Sequence, residues 1–359
     1  MTQILHKRPP SLNIRAGRLA RQLIEKEGLQ ASFVDTVPGA AGGPKGIGIQ
    51  GLDQAIFGNF LAQAPQRRTL IGSSIGSWRF ASILAWGAKE GTERLSELYT
   101  NLYFHKKMSR QDVGNICQGM LIDLIQGKEQ QLVDHPDYHL TVISIKAQHI
   151  FQSDKSFPLL TSIAGIVGSN ALGRKHNRLF MQRVISQPKM GTQFKVDDDF
   201  VTHYQTLNSD NVTPWLMASA SIPGVMAAIR DIPDAPKGSY RDGGLIDYHI
   251  DLPFESQGIV LYPHFSDRIT PGWFDKMLKK RKANPENQAR TLLLSPSAEY
   301  LQSLPLGRLP DRKDFTLKGL DQKQRIQMWN QCVAESQRLG DEFLEMVEKQ
   351  NLPQFMQDL

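Results

Sequence analysis

Two strand–glycine turn–helix units follow one another early in the chain, and that succession constrains the fold more than any other feature. Residues 32–37 form a short β-rich run, residues 38–46 a turn cluster, and residues 47–62 a helical stretch. The pattern then repeats: residues 68–72 form a second strand, Ser73-Ser74 a corner, and residues 75–89 a buried helix rich in Ala, Ile, Leu and Trp. Strands linked through helices in this way lie side by side in a parallel or mixed sheet with helices on its faces.

Further along, residues 92–104 and 113–124 read as helices, and residues 139–148 alternate as a strand. A helix through residues 158–168 follows, then strands at 179–186 and 200–207, and a short helix at 215–221 stopped by Pro223-Gly224. Residues 258–262 form another strand, 290–294 a last one, and 320–350 a long polar helical stretch. Leu19, Leu23 and Ile24 share one face of an amphipathic first helix over residues 15–27. The chain divides into an amphipathic helical segment (1–31), an α/β domain (32–265) and, past a boundary near Pro263, a mostly helical extension packed on it (266–359).

At 359 residues the chain exceeds an ordinary single domain, which fits one large domain with additions. Mean hydropathy is −0.35 and there is no long apolar run, so the sequence predicts no membrane-spanning helix. The start carries a basic pair, Lys7-Arg8, with no apolar stretch behind it, so it does not read as a Sec signal. The expectation is a cytoplasmic chain that meets membranes peripherally, with export by another route left open. Cys117 and Cys332 stand far apart with no metal-type spacing, so neither a disulfide framework nor a zinc site is expected. No metal or other cofactor is predicted.

Gly72-Ser73-Ser74-Ile75-Gly76 is a GxSxG pattern between a strand and a helix. Small flanking residues let the chain turn sharply enough to present the Ser74 hydroxyl, and the Ile75 N–H faces the reacting carbonyl oxygen. Upstream, Ala41-Gly42-Gly43-Pro44-Lys45-Gly46 offers glycine amides at a helix start, an anion or oxyanion receptor to which Lys45 adds charge. A Walker loop would need Ser or Thr where Gly46 stands, and a dinucleotide fingerprint would need glycine at Ala41. An oxyanion loop serving Ser74 fits better. Asp242-Gly243-Gly244 supplies a carboxylate whose glycine neighbours let it approach a serine, as a base for the serine proton.

In this order, the glycine loop, Gly72 to Gly76 and Asp242-Gly243-Gly244 resemble the GGGx[KR]G, GxSxG and DG[GA] motifs of the patatin-like phospholipases. The run Ala218-Ser219-Ala220-Ser221-Ile222-Pro223-Gly224 resembles the stretch preceding DG[GA] in that family. The likeness spans residues 32–262. It implies a three-layer α/β/α sandwich with a mixed, mainly parallel sheet, and a Ser74-Asp242 dyad without histidine. The implied activity is hydrolysis of lipid acyl esters, of the phospholipase A or lysophospholipase type, with oxyanion donors from Gly42, Gly43 and Ile75.

Several positions depart from the family pattern. Ala41 replaces the loop's first glycine, Pro44 has no N–H to donate, and Trp78-Arg79 stand where small residues are expected after the elbow. Tyr248 and Ile250 occupy positions where the family often has Asn and Pro. Two other readings stay open: an α/β-hydrolase triad using His249 or His264, and a non-catalytic lipid-binding or scaffold protein on the same fold. The net charge of +6 and the basic run Lys276, Lys279, Lys280, Arg281, Lys282 suit an anionic lipid surface better than nucleic acid, for which no aromatic ladder or module is present.

Overall fold

The computed structural model describes residues 9–105, 107–191 and 193–359; the Lys7-Arg8 pair lies outside the described residues. The chain opens with β1 (Leu12–Ala16), α1 (Arg18–Glu27), β2 (Val34–Gly39), α2 (Gln50–Asp53), β3 (Arg68–Ser73), α3 (Ile75–Trp86), α4 (Ala88–Asn101), α5 (Arg110–Ile125) and α6 (Glu129–Val133). It continues through β4 (Tyr138–Ala147), α7 (Ser156–Leu172), β5 (Met181–Gln187), β6 (Thr202–Thr206), α8 (Val212–Ala220), β7 (Tyr240–Asp242) and β8 (Ile259–Pro263). It closes with β9 (Thr291–Pro296), α9 (Ala298–Ser303), α10 (Gln322–Glu335), α11 (Gln337–Glu348) and β10 (Met356–Asp358).

The strands form one mixed sheet in the order β10-β1-β9-β8-β2-β3-β4-β5-β6, with β7 paired to β4 off that path. The central run β9-β8-β2-β3-β4 is parallel throughout, as the crossover pattern requires. Side chains of β4 alternate between faces. Leu140 and Val142 join the large core with Phe80, Ala81 and Leu84 of α3, whereas Ile145 and Ala147 pack with Leu159 and Ile166 of α7. The sheet is therefore covered on both sides, and its central strands are apolar on both faces. This is an α/β fold with a central mixed ten-stranded sheet and eleven α-helices among the described residues.

One pairing positions the site. β3 runs along β4 as far as Ser73 opposite Ile143; where β3 leaves the edge to turn into α3, β7 takes it over with Asp242 opposite Ser144. Consecutive residues of β4 thus hold the end of one strand and the end of another, which brings together Ser74 and Asp242, 168 residues apart in sequence.

The segments flanking residues 32–265 differ from the sequence expectation. Residues 12–16 are a strand, because Leu12, Ile14 and Ala16 bury while Asn13 and Arg15 stay half-exposed, and the first helix begins only at Arg18. The C-terminal part does not simply lie against the domain: β9 pairs with both β8 and β1, and β10 pairs with β1, so both termini complete the sheet. The long polar stretch is two helices, α10 and α11, broken at Ser336, whose hydroxyl accepts from the Gly51 amide at 2.9 Å. The helix expected over 47–62 is instead a 3-10 turn, the single turn α2, a π-helical turn and a second 3-10 turn.

Candidate active site

Ser74 occupies the turn between β3 and α3 with φ 55° and ψ −127°. A non-glycine residue pays of order 1–3 kcal/mol for such a backbone, which persists only where the surroundings enforce it. Three contacts do so. The Ser74 N–H donates to the Ser219 hydroxyl at 2.8 Å, the Ser77 hydroxyl donates to the Ser74 carbonyl at 2.7 Å, and the Ser219 hydroxyl donates to the Ile143 carbonyl at 2.6 Å. The flanking glycines are required by close approach: a Cβ on Gly76 would lie 1.9 Å from the Gly39 carbonyl oxygen, and one on Gly72 2.4 Å from the Ser77 Cα.

The Ser74 hydroxyl donates to Asp242 Oδ2 at 2.8 Å. Asp242 ends β7, and its other oxygen, Oδ1, accepts from the Gly244 amide at 2.7 Å across the 3-10 turn Gly243–Leu245. Both side chains are nearly enclosed, at 5% and 6% exposure. Loss of solvation pushes the Asp242 carboxyl up to about 6, against the opposing effects of the Ser74 and Gly244 hydrogen bonds and of the Arg312 and Lys276 charges. A buried carboxylate this close to neutrality can both take and return a proton near pH 7.

The turn carrying Asp242 is braced from behind. The Asp247 N–H donates to the Gly243 carbonyl at 2.9 Å, and the fully buried Asp247 carboxylate accepts from Arg183 Nε at 2.6 Å and from Arg174 at 3.2 Å. Ile250, where the resemblance would place proline, has φ 46°, a conformation that proline's ring forbids. The support of Asp242 therefore rests on the Arg183–Asp247 ion pair and not on a proline turn.

The glycine loop follows β2, which pairs with β3 as far as Gly39 opposite Gly72. The Ala41 N–H donates to the Tyr248 carbonyl at 2.8 Å, tying the loop to the segment after Asp242. Gly43, at φ 58°, turns the chain into the 3-10 helix Gly43–Ile49, which contains Pro44, Lys45 and Gly46. Among the described residues no protein acceptor engages the amides of Gly42, Gly43 or Ile75. Such amides are free to bind an oxyanion.

Lys45 is not a free cation: it forms an ion pair with Asp311, brought by the C-terminal segment. Next to Asp311, the exposed Arg312 reaches towards Gly43, 3.3 Å from where a Cβ there would sit. Lys276 places its ammonium 4.4 Å from the Tyr248 ring centre. Although much of that side chain is exposed, its amino end is desolvated over the ring, which pushes its pKa down to about 8, with Lys45 and Arg312 adding to the shift.

The remaining candidates fall elsewhere. Trp78 and Arg79 are buried in α3: the Trp78 indole donates to the Leu216 carbonyl at 2.9 Å, and Arg79 grips Asp53 through two hydrogen bonds, 2.8 and 2.5 Å long. They join α3 to α8 and α2. His249 and His264 are buried against each other, with ring centres 4.3 Å apart. Desolvation pushes His249 well below its ordinary value and His264 down to about 3, so both are neutral. Their rings hydrogen-bond to backbone groups of Arg268, Thr270 and Ser266, and the Ser74 hydroxyl is engaged by Asp242. Among the described residues no cluster of three or more His, Cys, Asp or Glu side chains is placed to hold a metal ion.

Sequence reasoning missed Ser77, Asp247, Arg183 and Arg312 and assigned no role to Ser219. Ser219 was within reach, since it lies in the small-residue run before Asp242; the others carry no local pattern. No protein-family model matches the chain, and no curated protein matches it at a significant level.

Proposed function

We propose that this chain is a serine acyl hydrolase of the patatin-like kind, acting on lipid esters through a Ser74-Asp242 dyad. The observation that carries the reading is the 2.8 Å hydrogen bond from the Ser74 hydroxyl to a buried carboxylate poised near pH 6. Asp242 takes the hydroxyl proton as Oγ attacks the ester carbonyl, and the Gly42, Gly43 and Ile75 amides receive the negative oxygen. Collapse of the tetrahedral species passes that proton to the departing alcohol and leaves the acyl group on Ser74. Water, deprotonated by Asp242, then attacks the acyl-enzyme and releases the fatty acid while the proton returns to Ser74.

Braced donors matter because each oxyanion contact supplies about 3–4 kcal/mol of transition-state stabilisation. The test is hydrolysis of a panel of phospholipid, lysophospholipid and glyceride esters by the wild type and by Ser74→Ala. The proposal expects release of fatty acid from at least one lipid class, falling about 10³-fold or more in the variant. No release from any class would favour the binding or scaffold reading.

A further inference from the structure

We propose that the outer face of α7, together with the turn Trp273–Met277, is a lipid-binding surface that seats the protein on an anionic membrane. The inference deepens the lipid-ester reading and takes the nature of the substrate aggregate from it. α7 contains no charged side chain across its 17 residues. Its inner face is accounted for: Leu159, Ser162, Ile166 and Asn170 are buried, and the two apolar ones pack with Ile145, Met181 and Phe200. Its outer face is apolar too, with Phe157 80% exposed, Leu160 65%, Val167 49% and Leu172 86%. At a helical period these four fall along one side, and Leu179, 60% exposed, extends the face from the turn that follows. A soluble surface has no reason to present so many large apolar groups together unless they meet something apolar.

The occupant is indicated by charge. Exposed Lys155 precedes the helix, and exposed Lys175 and Arg178 follow it. At the C-terminal end of α7, the Asn170 amide donates to Asp275 at 2.8 Å, and Arg281 donates to the Asn170 carbonyl at 2.9 Å, fastening the Trp273–Met277 turn alongside. That turn exposes Met277 (87%) and Trp273 (41%), and Lys279, Lys280 and Lys282 stand exposed just beyond it. An apolar face rimmed by cations, with an aromatic residue at its edge, matches the interfacial zone of an anionic bilayer, where apolar groups enter the acyl boundary and basic groups meet the phosphates. The same turn carries Lys276, whose ammonium lies over the ring of Tyr248, so the proposed face adjoins the segment that follows Asp242.

The test is binding of the full chain carrying Ser74→Ala, so that lipid is not consumed, to vesicles of phosphatidylcholine alone or mixed with phosphatidylserine. The expected result is binding that increases with phosphatidylserine, weakens with salt, and falls about tenfold or more when Leu160→Asp and Leu172→Asp are added. A fluorophore on Leu160→Cys should shift to the blue on adding mixed vesicles. With Ser74 intact, the double Asp variant should keep wild-type activity on a soluble short-chain ester, which reports its folding and separates this inference from the catalytic reading. Should neither chain hydrolyse that ester, the catalytic reading fails while vesicle binding still decides this one. Unchanged vesicle binding by the double variant, or no blue shift at position 160, would overturn the proposal. So would a dimer that the double variant dissociates without any lipid dependence, which would assign the face to a second copy of the chain.

Discussion

At the scale of single residues, the dyad is an expensive arrangement. Asp242 is buried with a carboxyl raised to about 6, above the 3.8 it would have in the unfolded chain. A group raised on folding contributes stability that is fully present below its unfolded value and is lost as pH rises through its folded value. Near neutral pH the ionised carboxylate therefore weakens the fold, by on the order of 2–3 kcal/mol. Asp242→Asn keeps the shape and removes the charge. It should raise the urea midpoint at pH 8, with the gain shrinking towards pH 4; an equal or lower midpoint at pH 8 would mean that the carboxylate is not strained by burial. The strained Ser74 backbone adds to the same cost, as expected where function overrides local preference. Residue identity made both groups legible in the sequence, because GxSxG and DGG are short patterns with a mechanical meaning. The partners that tune them were not. Lys276, Asp311 and Arg312 reach the site from two separate 3-10 turns of the C-terminal part, and nothing in their sequence neighbourhood marks those side chains as neighbours of Asp242 or of the glycine loop.

At the scale of elements, the site depends on two strands meeting along one edge of β4 and on α3 pressing against β2. The long strands were legible because β4 is ten residues long with eight of them buried, and β8 and β9 are built on the apolar runs 259–262 and 292–294. β7 and β10 were not, since three residues cannot display a period; β1 was obscured by the helix that starts two residues later. The basic run suits an anionic lipid surface by sequence, but the fold divides it: Lys276 turns over Tyr248, Arg281 binds Asp275, and Lys279, Lys280 and Lys282 remain outside. Two helical glycines, one at the α3–β2 contact and one in the open on α5, give predictions of opposite sign. Gly76→Ala drives a methyl into the Gly39 carbonyl and should cost about 3 kcal/mol or more. Gly114→Ala, in α5 with open space around its Cβ position, should add roughly 0.5–1 kcal/mol. Urea denaturation of the two variants checks the pair; a tolerated Gly76→Ala would mean that helix and strand are further apart than described.

At the scale of the whole molecule, a single sheet gathers the glycine loop, the nucleophile turn and the aspartate turn, while the C-terminal part supplies the inner strand β9 and the edge strand β10 and brings Lys276, Asp311 and Arg312 towards the site. The succession of strand–turn–helix units foretold a sheet with helices on its faces. It could not foretell that β1, β9 and β10 complete that sheet, because those pairings join residues hundreds of positions apart. The net charge of +6 likewise acquires locations: one group of cations around Asp242 and another around the apolar face of α7. The central claim is that Ser74 is a nucleophile activated by Asp242, and intact-mass labelling with a fluorophosphonate across pH tests it most directly. The account predicts one adduct on the wild type, forming more slowly as pH falls through about 6, no adduct on Ser74→Ala, and labelling slowed about 100-fold or more in Asp242→Asn. Labelling of Asp242→Asn at the wild-type rate, or an adduct that persists in Ser74→Ala, would contradict it.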